Sequence, residues 1–143
     1  MNIKRVFLAS DHAGFLLKQV ISKFLKKKGI KILDLGPKNK NSVDYPVYAH
    51  LLAKRVSKQK NNMGILVCGS GHGMTMTANK HKNIRAALCY DIRSTKLSRI
   101  HNNANVMAIG SRLTKKSVAL KCISIFLKTN FEGGRHLRRI KKI

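Results

Sequence analysis

The sequence predicts a doubly wound α/β domain, on two observations. Short apolar runs rich in β-branched residues alternate with segments whose apolar residues recur at helical spacing. One of those runs, Gly64-Ile65-Leu66-Val67-Cys68, passes straight into a turn with glycine at every second position, Gly69-Ser70-Gly71-His72-Gly73. Strands alternating with helices form a parallel sheet with helices on both faces. The expectation is therefore one three-layer domain over residues 1–143, built on a five-stranded parallel sheet. A chain of 143 residues is of single-domain length, and it shows no internal repeat or linker.

Taken in order, Arg5–Ser10 is the first strand and Asp11-His12-Ala13-Gly14 the turn after it. Leu16, Leu17, Val20, Ile21, Phe24 and Leu25 make one apolar stripe of a first helix, with Lys18, Ser22, Lys23 and Lys26 on the solvent side. Gly29 stops that helix. Ile30–Leu35 reads as the second strand, broken by Gly36-Pro37, and Asp34 does no more than end its pairing. A polar loop from Lys38 to Ser42 leads through Asp44-Tyr45-Pro46 into a helix carrying Val47, Leu51, Leu52 and Val56. The glycine turn supplies the third strand and opens the third helix. Arg85–Cys89 is the fourth strand, Ser94–Ile100 a short helix and Asn105–Gly110 the fifth strand. Thr114 is the expected cap of a last long helix with Val118, Ala119, Cys122, Ile123, Ile125 and Phe126 buried. A tail holding Glu132-Gly133-Gly134-Arg135-His136 closes the chain.

Composition narrows the function classes. A hydrophobic share of 43% excludes a disordered chain. No apolar run is long enough to span a bilayer, and Met1–Arg5 leads into the first strand with no signal-peptide pattern, so the expected location is cytoplasmic. Three cysteines at wide spacing fit neither a disulfide framework nor a zinc ribbon. Cys89 and Cys122 lie in apolar runs and read as core. Thirty Lys+Arg against five Asp+Glu give a formal +25, which raises a nucleic-acid hypothesis. The lysines are scattered, however, and with no Trp and 6% aromatic residues the chain is poor in stacking groups. A lysine-rich solvated surface with nonspecific polyanion affinity follows. His50 and His81 read as residues of solvated helix faces.

Open parallel sheets bind ligands beyond the carboxyl ends of their strands. Asp11-His12, Cys68-Gly69-Ser70 and Ser111-Arg112 are thus expected on one rim. The order of elements is Rossmann-like, yet the first turn lacks the G-x-G-x-x-G fingerprint and no P-loop lysine pattern occurs, which speaks against a nucleotide cofactor. The rim would hold a carboxylate (Asp11), imidazoles (His12, His101), a thiol (Cys68), a hydroxyl (Ser70) and guanidiniums (Arg112, Arg135, Arg139). Guanidinium forks pair bidentately with phosphate oxygens, and Arg135 and Arg139, four residues apart, would share a helix face. Amides at a helix start favour anions and stabilise a thiolate nearby. Together these groups point to proton abstraction beside the carbonyl of a sugar phosphate.

Asp11-His12-Ala13-Gly14, Asp44-Tyr45-Pro46, Cys68-Gly69-Ser70-Gly71-His72-Gly73, Ala78-Asn79-Lys80, Ile84-Arg85-Ala86, His101-Asn102-Asn103-Ala104-Asn105 and Glu132-Gly133-Gly134-Arg135-His136 resemble, in order and over nearly the whole chain, the type B ribose-5-phosphate isomerases. That family also holds galactose-6-phosphate and allose-6-phosphate isomerases. The resemblance implies aldose–ketose interconversion of ribose 5-phosphate and ribulose 5-phosphate through an enediolate, with no metal and no cofactor. It implies a homodimer, or a dimer of dimers, with active sites shared between subunits and the tail at about 130–143 reaching the partner. By the same resemblance Cys68 is the general base, Ser70 the hydroxyl beside it, and the amides from Gly69 through Gly71 to Gly73 the oxyanion turn. His101 opens the furanose ring with Asp11 nearby. Tyr45 and Asn102 contact substrate, and His12, Arg112, Arg135 and Arg139 hold the phosphate. One branch of the family carries a glutamate base where this chain has Met74. His72 stands where small or apolar residues are frequent, either exposed or at the pocket mouth. The competing readings are a six-carbon sugar-phosphate isomerase and a basic nucleic-acid-binding protein on this scaffold.

Overall fold

The structure is a computed structural model that describes residues 3–143. Strands β1 (Arg5–Ser10), β2 (Ile32–Asp34), β3 (Asn62–Cys68), β4 (Ala86–Leu88) and β5 (Val106–Gly110) form one sheet in the order β2-β1-β3-β5-β4. Every neighbouring pair is parallel. The helices are α1 (Phe15–Lys27), α2 (Tyr45–Val56), α3 (His72–Ala78), α4 (Ile92–Ile100), α5 (Lys116–Lys128) and α6 (Gly134–Ile140). The three-layer fold expected from the alternating pattern is the fold observed.

Strand side chains alternate between two cores, because successive Cβ atoms leave a strand on opposite faces. Val6, Leu8, Ile65, Val67, Met107 and Ile109 meet Ile21 and Leu25 of α1 and Cys122, Ile123 and Phe126 of α5. Phe7, Ala9, Leu66, Cys68 and Ala108 meet Leu52 and Val56 of α2 and Met74 and Ala78 of α3. Sandwiched between helices on both sides, β3 and β5 are buried at every residue, which is why they read as unbroken apolar runs. From β1 the chain goes to the edge strand β2, whereas from β3 it passes over β5 to the opposite edge at β4. The carboxyl ends of β1 and β3 are therefore the switch point, where connections diverge and leave a crevice.

Several local expectations need correction. On α1 the buried residues are Lys18, Ile21, Ser22 and Leu25, while Leu16 is 61% exposed. Periodicity finds a helix face, but here a lysine shares it because Asp34 waits at the end of β2 to receive the ammonium. Val47 is likewise 61% exposed, and α2 buries Leu52 and Val56 as expected, joined by Ala49 and Ala53. Thr114 does not cap α5: Lys115 precedes that helix without a side-chain cap bond, and the buried Thr114 hydroxyl has no hydrogen-bond partner among the described residues. β2 and β4 are shorter than the apolar runs that announced them. Asp91, unremarked in the sequence, caps α4 by accepting the Ser94 N–H at 2.7 Å, so that helix starts before Ser94. The tail contains a helix, α6, which puts Arg135 and Arg139 one turn apart.

Candidate active site

Three strand ends are sewn into one rim by backbone hydrogen bonds. The Asp11 amide donates to the Val67 carbonyl at 3.1 Å, joining the turn after β1 to β3. Ser111 N–H donates to the Cys68 carbonyl at 2.8 Å and Arg112 N–H to that of Gly69 at 3.1 Å, joining β5 to the glycine turn. The Ser111 hydroxyl closes the circuit by donating to the Ala13 carbonyl at 2.9 Å. The rim expected for Asp11-His12, Cys68–Ser70 and Ser111-Arg112 is thus present.

Cys68 is the last residue of β3 and is almost wholly buried. The Gly71 amide donates to its Sγ at 3.1 Å. That bond brings a backbone N–H dipole to bear on the sulfur. Gly71 reaches it with φ of +85°, a conformation open to glycine. Its amide therefore serves the sulfur, while the amides of Gly69, Ser70, Gly73 and Met74 have no acceptor among the described residues. The Ser70 hydroxyl accepts from His72 N–H at 3.4 Å, and both side chains are exposed. Met74 is fully buried beneath the turn, where it offers the site no carboxylate.

Two side chains stand over this turn, and two more belong to the neighbouring turn after β1. A Cβ on Gly69 would come within 3.0 Å of an Arg112 guanidinium nitrogen, so that cation lies directly over the turn. A Cβ on Gly73 would come within 2.8 Å of the Tyr45 hydroxyl, which puts the phenol over the other end. The His12 Nδ1 accepts the Val43 N–H at 3.3 Å, so its neutral ring carries the proton on Nε2, free to donate. Asp11 is 7% exposed; Oδ1 accepts the Gly14 N–H at 2.8 Å, capping the turn before α1.

His101, Asn102, Arg135 and Arg139 lie elsewhere. His101 follows α4 and precedes β5, hence it stands near the strand's amino end, whereas Cys68 pairs with Gly110 at its carboxyl end. Val106 to Gly110 spans about 13 Å at the usual strand rise. The carbonyls of Asn102 and Asn103 accept the Arg85 Nε at 3.0 and 3.1 Å, and Arg99 donates to the Asn103 carboxamide at 3.1 Å. Glu132 N–H donates to the Ile100 carbonyl at 3.1 Å, and the His136 ring stacks on His101 with centroids 4.3 Å apart. Within one chain, then, the expected single rim divides. One half holds Asp11, His12, Tyr45, Cys68, Ser70 and Arg112; the other holds His101, Asn102, Arg135 and Arg139.

The second half also contains the ligand atoms of His101, Glu132 and His136, all within 4.8 Å of one another. The two imidazoles are nearly parallel, at 18°, so their lone pairs run side by side instead of converging on one point. With Arg135 and Arg139 beside His136, this end is suited to an anion. Burial, followed by the charges of His101 and Arg135, lowers the His136 pKa.

Sequence reasoning missed two supports of the site, Lys18 with Asp34 and buried Arg99. A lysine on a helix face announces nothing by itself. The signal available was Lys18 at i−3 and i−4 from Ile21 and Ser22 on a continuous face. His50 is exposed on α2 as expected, whereas His81 lies half-buried after α3, and His50 Nδ1 is 2.7 Å from His81 Nε2.

Comparison with known proteins places these features in a family. Residues 6–143 match the family model described as Ribose/Galactose Isomerase. The ribose-5-phosphate isomerase B of Escherichia coli is 38% identical over 141 residues, covering 99% of this chain and 95% of that one. The crystal structure of ribose-5-phosphate isomerase B from Mycoplasma genitalium, with bound ribulose 5-phosphate, superimposes with a TM-score of 0.95 at 45% identity, over 99% and 95% of the two chains. The enzyme of the same name from Anaplasma phagocytophilum matches with a TM-score of 0.94 at 46% identity, over 99% and 97%.

Proposed function

This chain belongs to the ribose/galactose isomerase family, and we propose that it interconverts ribose 5-phosphate and ribulose 5-phosphate with Cys68 as the base. The observation that carries the assignment is the Gly71 amide on the Cys68 sulfur, inside a turn where the amides of Gly69, Ser70 and Gly73 have no acceptor among the described residues.

In this reading the C2 proton of the open-chain aldose passes to the Cys68 sulfur. The C2–H electron pair becomes the enediolate double bond, and negative charge moves to O1, where the amides of Gly69, Ser70 and Gly73 meet it. The same sulfur returns the proton to C1, while Ser70 and Asp11 handle the proton that moves between the two oxygens. His12 through Nε2, and Arg112 over the turn, hold one side of the phosphate.

The other groups come from a second copy. His101 would open the furanose by giving a proton to the ring oxygen, and Arg135 and Arg139 would complete the phosphate clamp. One chain holds these residues at the far end of its sheet, and two chains related by a two-fold axis could each lend them to the other. Leu16, Val47, Met76 and Leu113, all more than 60% exposed, supply the apolar surface such pairing needs. The residue range 1–143 is read as one catalytic domain. Among the described residues no helix is long and apolar enough to cross a membrane, and the free thiols suit a reducing cytoplasm.

The test is turnover of ribose 5-phosphate, followed as ribulose 5-phosphate formation, by the wild-type chain and by Cys68→Ala. Turnover by the wild type that falls on the order of 10²–10⁴-fold in the variant supports the assignment. Equal turnover by both removes Cys68 from the reaction.

A further inference from the structure

Lys18 is buried to 1% exposure on the sheet side of α1. Its ammonium lies 2.6 Å from both carboxylate oxygens of Asp34 and 3.1 Å from the Pro37 carbonyl, so all three N–H donors have acceptors. Asp34 Oδ1 also accepts the Gly36 N–H at 2.9 Å, and the Gly36 carbonyl accepts Ser10 N–H at 3.0 Å. Lys18 thus ties residues 34 and 37 to α1, and Gly36 ties the same segment to Ser10 at the carboxyl end of β1, one residue before the Asp11-His12 turn.

The exposed segment that follows leads directly to the catalytic rim. Residues 38–42 are all exposed, and their one internal hydrogen bond is Asn41 N–H to the Asn39 side chain. The segment next touches the protein where Val43 N–H meets His12 Nδ1. Two residues later comes Tyr45, over Gly73. Lys18 holds the root of this strap, and the strap's far end carries the Val43 amide that His12 accepts. Burying an ammonium is unfavourable, and apolar residues can fill such a position without loss of stability. A role in fold stability alone does not account for a lysine there.

We propose that Lys18 is a positioning residue: through Asp34 and the Pro37 carbonyl it sets the strap from residue 34 to residue 43, and through the Val43 amide the His12 tautomer. The kinetic part rests on the isomerase reading above; the structural part does not.

The test uses the full-length chain with Lys18→Met and with Lys18→Met/Asp34→Asn. The double variant removes both charges yet keeps an oxygen for Gly36 N–H, so it folds even where the single variant fails. Ring ¹⁵N NMR of His12 is expected to show loss of the Nε2–H tautomer preference in the double variant. In ribose 5-phosphate turnover, KM is expected to rise on the order of tenfold with kcat held within about threefold, the pattern of lost binding contacts. A double variant with wild-type His12 resonances and wild-type KM overturns the proposal. Should the wild type fail to isomerise ribose 5-phosphate, the reaction assignment falls while the His12 tautomer measurement still decides the role of Lys18.

Discussion

Gly14 lies so close to Val67 that a Cβ added to it would come within 2.1 Å of the Val67 carbonyl oxygen. Because the obstacle is backbone, it cannot swing aside. This contact lets the turn after β1 rest on β3, and it brings Asp11 and His12 to the end of the strand that carries Cys68.

Gly14→Ala is therefore expected to destabilise the fold by about 3 kcal/mol, the upper end of overpacking effects. Chemical denaturation at constant temperature measures it. A variant as stable as the wild type would mean that the two strands can separate without loss.

Alkylation should single out one thiol. Cys89 and Cys122 are buried in the α1–α5 core, and burial raises both thiol pKa values, that of Cys89 to about 11. At pH 8 both stay protonated and unreactive, since the thiolate is the nucleophile. Iodoacetamide at that pH is expected to label Cys68 first and to abolish turnover in step with labelling, as read by peptide mass spectrometry.

Sharing of sites between subunits has a distinctive signature. Cys68→Ala and His101→Asn homodimers should each be nearly inactive. If the two mutations sit in different halves of one site, mixed dimers carry one doubly altered and one intact site. Random reassortment then restores about a quarter of wild-type activity. Activity that stays at the level of the parents after verified subunit exchange would place both residues in the same half.

Acid should loosen the tail before the rest of the domain. His136 faces His101, Glu132, Arg135 and Arg139, and burial first, then its cationic neighbours, lowers its pKa below the ordinary 6.5. As pH falls through that ordinary value, the unfolded chain takes up the proton and the folded one resists. The stability that neutral His136 contributes is thus present above pH 6.5 and lost below it. KM for the sugar phosphate is expected to rise over the same window, because α6 carries Arg135 and Arg139. His136→Phe should flatten that rise.

Much of the fold was legible in the chain. β1 and its limits, the glycine turn and the alternation of elements follow from local chemistry, since a buried parallel strand must be apolar and a tight turn beside a ligand needs glycine. The family was legible too, because Cys68, Ser70, His101 and the arginines stand in motifs whose order is specific to it. Their placement was not. Lys18 looked solvated because periodicity marks a face without saying what the face meets, and Asp34 is 16 residues away.

The sequence alone determined the family and which reactive groups the chain carries: a thiol beside glycine amides, imidazoles and guanidiniums. Only the tertiary structure decided how those groups are grouped. Strand direction sends Cys68 and Arg112 to one end of the sheet and His101 with the α6 arginines to the other. That separation arises from contacts between residues distant in the chain, which no local pattern of side chains encodes.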